Sequence, residues 1–145
     1  MMTEKSKSTG SSEFSLHNSK LSMTTRTFEI AVRVIRLCQF LEKQSNVSRT
    51  LANQLLRSGT SIGANTEEAQ AGQSKADFIA KMSIARKESR ETLYWLKLLE
   101  ATHLVEANML VEANMLVEII KESDEIVRIL TTIVKSAQQG KHNAK

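Results

Sequence analysis

The 145-residue chain has no proline, one cysteine, five glycines and 4% aromatic residues, and its apolar runs are only a few residues long. Each shortage excludes a class of protein. A β-sandwich or barrel needs turn residues every ~8–12 positions and many β-branched and aromatic side chains. One cysteine forms neither a disulfide framework nor a cysteine metal cage. A membrane-spanning helix takes ~20 consecutive apolar residues, and a secretory signal takes an apolar core of ~7–15, which Phe14 and Leu16 amid Ser, His and Asn do not supply. The expectation is a soluble, cytoplasmic protein with no membrane partner. What is abundant is Ala, Leu, Glu, Lys and Gln, all good helix formers, so a single all-α domain is expected.

Net charge is +4, unevenly spread. Residues 1–25 carry three Lys against two Glu, residues 26–104 carry twelve Lys or Arg against eight Asp or Glu, and residues 105–145 carry five against six. The positive excess thus falls in the first three-quarters of the fold. On its own this is an ordinary solvated surface.

The sequence divides into a tail and four helical segments. Residues 1–24 are Ser-, Lys- and Thr-rich with too little apolar content to offset ordering entropy, which predicts a disordered tail. The bundle is expected over 25–138 and a frayed C-terminal tail over 139–145. In the first segment, about 27–42, Phe28, Ala31, Val32, Ile35, Cys38 and Leu41 recur at helical spacing and are expected to face the core. Gln44, Ser45 and Asn46 break the pattern, and Ser48 is expected to cap the next helix.

The second segment shows a seam of Leu51, Leu55, Ser58, Ile62, Asn65, Ala69 and Gly72 in alternating steps of four and three. Its centre holds Gly59 and Gly63, each costing about 1 kcal/mol relative to Ala in a helix, so a closely approaching neighbour is expected there. Ser74 and Asp77 have capping-box spacing and start the third segment. Its seam is Phe78, Met82, Ala85, Ser89, Thr92, Leu96 and Leu99. Both seams are small and polar at their centres, so Ser58, Asn65 and Ala69 are expected to meet Ala85, Ser89 and Thr92 across an antiparallel pair. The fourth segment carries Leu116, Ile119, Ser123, Ile126, Leu130, Ile133 and Ala137, broadened by Ile120, Val127 and Val134. That breadth, with the surplus apolar residues of the first segment, predicts self-association.

The hexad Val105-Glu106-Ala107-Asn108-Met109-Leu110 recurs without change as Val111-Glu112-Ala113-Asn114-Met115-Leu116. Six added residues turn a helix about 240° beyond a full turn and would rotate everything after them off the core. The duplication is therefore expected at a connection or helix end.

Candidate chemistry is sparse. Cys38 lies on an apolar face, and His17, His103 and His142 form no pair, so no catalytic, metal or cofactor site is expected. Glu67 and Glu68 lack the Glu-x-x-His partner of a bundle carboxylate site. Gly59 and Gly63 have membrane-helix packing spacing, yet Arg57 and Glu67 flank them. No Gly-rich phosphate loop occurs. What remains is a polar set of Arg57, Ser61, Asn65 and Glu68 on the second helix with Lys87, Glu88 and Glu91 on the third. It is read as an interhelical network fixing register, with Arg57 paired to Glu88 or Glu91.

The run Gln54-Leu55-Leu56-Arg57-Ser58-Gly59-Thr60-Ser61-Ile62-Gly63-Ala64-Asn65-Thr66-Glu67-Glu68-Ala69, followed by Asp77-Phe78-Ile79-Ala80-Lys81-Met82-Ser83-Ile84-Ala85-Arg86-Lys87-Glu88 and Glu91-Thr92-Leu93-Tyr94-Trp95-Leu96-Lys97-Leu98-Leu99, carries a resemblance. It resembles the four-helix-bundle proteins encoded in intervening sequences of bacterial 23S ribosomal RNA genes, over about 28–137. The resemblance implies an antiparallel up-and-down four-helix bundle assembling as a homopentamer, with no enzymatic activity. It extends distantly to accessory variability proteins of diversity-generating retroelements, which partner a reverse transcriptase and bind nucleic acid. The duplicated hexad and the Ser-rich tail depart from the family pattern without touching these motifs. An oligomeric module that binds RNA or DNA weakly is expected, with Arg33, Arg36, Arg49, Lys75, Lys81, Arg86, Arg90 and Lys97 as candidate contacts. A protein-partner scaffold without nucleic-acid contact is the alternative.

Overall fold

Three serines set the starts of three helices. Ser22, Ser45 and Ser74 each sit in extended backbone and accept a hydrogen bond from the N–H three residues on, satisfying one donor that a helix start leaves free. The cap of the second helix is thus Ser45, not Ser48. Ser48 is buried and donates its N–H to Ser45 Oγ at 3.1 Å, because the helix begins three residues earlier than the polar break suggested. The computed structural model describes residues 22–106 and 109–143. Their regular structure comprises α1 (Met23–Glu42), α2 (Asn46–Ala71), α3 (Lys75–Ala101) and α4 (Leu110–Asn143). The tail expected over 1–24 lies outside the described residues apart from its last three positions. At the other end, α4 runs to Asn143, past the expected boundary at 138.

Each helix packs on the next in sequence, and α4 returns to touch α1 over a shorter stretch. Between α1 and α2, Cys38 donates to the Ala52 carbonyl, Val34 lies against Gly59, and Thr27 lies against Gly63. Numbers rise on one helix as they fall on the other. A Cβ on Gly59 would stand 2.8 Å from Val34 Cγ1, and one on Gly63 would stand 3.3 Å from the Thr27 carbonyl oxygen. Close approach is therefore what the two glycines serve, and the neighbour is α1. Between α2 and α3, Thr92 Oγ1 and Ser58 Oγ share a buried hydrogen bond of 3.0 Å.

The α3 seam is buried from Met82 to Leu99 as its spacing predicts, with Phe78 half-buried at the end. On α2, Leu55, Ser58, Ile62 and Ala69 are buried as expected, joined by Ala52, Gly59, Gly63 and Thr66, while Leu51 and Asn65 fall to the flank. The buried strip is wide because α2 is gripped from two sides. On α4 the seam ends on Val134, with Ile133 half-buried.

The α1 expectation needs correction. Its core residues are Thr27, Ile30, Val34, Leu37, Cys38 and Leu41, whereas Phe28 is 66% and Ile35 40% exposed. This helix carries two apolar stripes, and spacing alone does not say which one turns inward.

Of copy one, Val105 is buried ahead of α4 and Leu110 opens that helix; copy two continues its first turns, where Val111 is exposed and Leu116 is the first buried seam residue. Deleting residues 105–110 is therefore expected to leave the fold intact, since the rotation is absorbed ahead of the seam. A cooperative thermal transition within a few degrees of the full-length chain would show this. Deleting 117–122 instead turns the rest of α4 off the core and should abolish the transition.

Among the described residues, Ser123 Oγ is a buried polar side-chain atom with no hydrogen-bond partner. An orphaned hydroxyl costs its desolvation, so Ser123→Ala is expected to stabilise the protein by about 1 kcal/mol in urea titrations.

Candidate nucleic-acid interface

The polar face shared by α2 and α3 starts from Arg57. Its guanidinium donates to Glu88 Oε2 at 3.4 Å and to Glu91 Oε1. Trp95, one turn after Glu91, donates its indole N–H to the same Glu91 oxygen at 3.3 Å. The Arg57 side chain is half exposed, while Glu88 and Glu91 are more covered, so the pair sits at the edge of the bundle. Of the other expected members, Asn65 bonds Ser61 within α2, and Glu68 and Lys87 are exposed and stand apart.

The hydrogen bond from Arg57 holds the Glu91 carboxyl below the usual carboxylate range, aided by the Trp95 N–H and opposed by partial burial. Glu91 raises the Arg57 guanidinium in turn. A carboxyl depressed in the folded state stabilises the fold at neutral pH, and that contribution disappears as pH falls from about 4.3 through the folded value. Glu91→Gln is expected to make the urea midpoint fall less steeply over that acid range than in the parent chain. An unchanged slope would show that the pair is not linked to folding.

Burial, with Glu42 adding, pushes the Cys38 thiol up to about 12, and it donates to the Ala52 carbonyl at 3.3 Å, the environment of a core residue. Among the described residues no group of three or more His, Cys, Asp or Glu could hold a metal ion. No described helix is long and apolar enough to cross a membrane.

The candidate cations do not share one surface. Arg36 is exposed on the outer side of α1, Arg33 is half-buried, and Arg49 is exposed on α2 and donates to Asn46 in its own first turn. On α3, helical rotation of about 100° per residue sorts the rest. Lys81, Glu88 and Glu91 fall on the flank toward α2, and Arg86, half-buried, on the opposite flank with Lys75, whose Nζ lies by Gly140 of α4. Arg90 and Lys97 are exposed toward the outer side, and Lys87 joins them there. At the centre of α3, Glu88 and Glu91 thus turn to Arg57 while Lys87, Arg90 and Lys97 face solvent; Lys81 and Arg86 lie on the two flanks, and Asp77 and Glu100 are exposed near the helix ends.

The sequence reading did not single out Arg26, which is 97% covered in the first turn of α1 and holds Glu122 at 2.9 Å and Glu125 at 3.3 Å across to α4. The signal was present, since Arg26, Ile30 and Val34 run in steps of four along the stripe that is buried. Also missed were Lys121, Arg128 and Lys135 on α4, each seven residues apart and all exposed.

The family described as 23S rRNA-intervening sequence protein matches residues 19–132, and the chain belongs to it. A solved structure from Bacteroides thetaiotaomicron, described as a protein of unknown function from the S23 ribosomal protein family, is 40% identical, with a TM-score of 0.67. The similarity covers 79% of this chain and 99% of that one. No curated protein matches the chain.

Proposed function

We propose that this protein is a non-enzymatic, cytoplasmic accessory module: an antiparallel up-and-down four-helix bundle that oligomerises, as a homopentamer by family resemblance, and binds RNA or DNA weakly. The charge segregation on α3 carries the reading. Lys87, Arg90 and Lys97 are exposed on its outer side, while its central acids are drawn to Arg57. One chain at +4 has little pull on a polyanion, but several copies in one assembly engage a strand simultaneously and gain avidity. The exposed stripe of Phe28 and Ile35 on α1 offers the apolar surface for self-assembly. It lies on the helix diagonal to α3 and leaves the basic side free.

Two measurements test this. Light scattering at micromolar concentration is expected to give five times the 16.2 kDa chain mass, and a monomer mass would overturn the assembly. Electrophoretic titration at low salt is expected to retard structured RNA, single-stranded DNA and duplex DNA. Log affinity should fall linearly with log salt, by about 0.7 per phosphate contact on single strands. The same α1 stripe supports a second reading, a scaffold for a protein partner such as a reverse transcriptase. Absence of any retardation by the intact oligomer would favour it.

A further inference from the structure

We infer that Tyr94 is a base-stacking platform for single-stranded nucleic acid, with Lys87, Arg90 and Lys97 holding the flanking phosphates. The inference rests on the nucleic-acid reading above and narrows it to one ridge and one kind of strand. Tyr94 is 57% exposed, a large aromatic left in water where a core position would bury it. It is also held in place. Its ring meets the Trp95 ring edge-on, centroids 5.2 Å apart and planes at 66°. Trp95 is packed against the core, and its N–H is tied to Glu91, which Arg57 holds from α2. The polar network at the bundle edge thus ends on Trp95, whose ring braces the exposed Tyr94 ring along one edge. A preset aromatic loses little freedom on binding.

The cations around it fit the same occupant. Arg90 precedes Tyr94 by four residues and Lys97 follows by three, so they stand about 6 Å and 4.5 Å away along the axis on the same outer ridge, with Lys87 one turn beyond Arg90. All four residues are exposed. Alternating aromatic and basic side chains is what single-strand binding uses: an unpaired base offers a face to stack, and its phosphates lie to either side. A duplex keeps its bases stacked on one another and presents only phosphates, so it would ignore Tyr94. The other basic row, Lys121, Arg128 and Lys135 on α4, has no exposed aromatic among its outward neighbours, and Arg128 is already paired with Asp124 at 2.8 Å. That row suits general electrostatic attraction and not base contact.

The test uses the full-length protein with a fluorescein-labelled oligouridylate and a duplex RNA of equal length, read by anisotropy at about 50 mM salt and upward. Tyr94→Ala is expected to weaken oligouridylate binding about 5- to 150-fold and leave duplex binding unchanged, while Tyr94→Phe keeps the parent affinity. Replacing Lys87, Arg90 and Lys97 by Gln should reduce the magnitude of the salt slope on the single strand by about 2, whereas Arg36→Gln with Arg49→Gln should not. If the oligouridylate binds but Tyr94→Ala matches the parent, or the Arg36 and Arg49 changes carry the loss, the ridge assignment is overturned while nucleic-acid binding stands. If neither RNA binds, the broader reading fails with it.

Discussion

Arg26→Met is expected to lower the unfolding free energy by about 3–5 kcal/mol. The guanidinium is 3% exposed and gives Glu122 Oε1 two hydrogen bonds, from Nε at 3.0 Å and Nη2 at 2.9 Å. Glu122 is itself only 12% exposed, so removing its partner strands a carboxylate away from water. Glu125, half exposed, can turn to solvent and should matter much less. The effect is amplified by position: α1 and α4 touch over the shortest stretch of any neighbouring pair, and this pair joins them. Desolvation, not attraction, dominates the cost, and a second variant separates the two. Replacing both Arg26 and Glu122 by Met removes the stranded charge, so it should recover most of the loss. Urea midpoints of the two single variants and the double variant give the coupling directly. Additive losses would mean that the two side chains do not interact in solution.

Gly59→Leu should cost about 3 kcal/mol or more, the upper part of the range for overfilled cores. A Cβ alone would meet Val34 Cγ1 at 2.8 Å and Cγ2 at 3.0 Å, and Val34 is a fully buried, stiff, β-branched side chain with nowhere to retreat. Even Gly59→Ala, which gains about 1 kcal/mol of helix propensity, should come out destabilising. Gly140 supplies the opposite sign. There a Cβ meets only Lys75 Nζ, the end of a flexible side chain, so Gly140→Ala should stabilise α4 by up to about 1 kcal/mol. Combining Gly59→Ala with Val34→Ala makes room and should recover part of the loss. Equal effects at the two glycines would show that helix propensity, not helix approach, governs position 59.

The Gly59 contact bears on the proposed function as well. Gly59 sets how closely α2 lies on α1, and Arg57, two residues before it, reaches the other way to hold Glu88 and Glu91. The α2 helix therefore fixes both the α1 register and the segregation of charge on α3. Changes at Gly59 should disturb the Tyr94 ridge only through unfolding.

The amino-acid sequence determined the helical class, the Ser74 start of α3 and the α3 seam, and it placed the α1–α2 break to within three residues, because these follow from local rules. Proline is absent, serines fall where helix starts need acceptors, and Met82, Ala85, Ser89, Thr92, Leu96 and Leu99 leave a single strip that can be buried. The need for a close neighbour at Gly59 and Gly63 was legible too, though not which helix it is. Tertiary structure alone decided the rest. On α1, Phe28 and Ile35 compete with Ile30, Val34 and Leu37 at the same helical spacing, and only the position of α2 and α4 selects which stripe turns inward. Arg26 lies in step with Ile30 and Val34 along the chain, but its partner Glu122 is 96 residues away, and only α4 brings the two together. Of the basic ridge, Arg90 and Lys97 stood among eight scattered candidates and Lys87 in the polar set with Glu88 and Glu91, because charge counted along a chain carries no direction. Helix rotation and the pull of Arg57 on the acids of α3 supply that direction, and they leave Tyr94 standing among the cations.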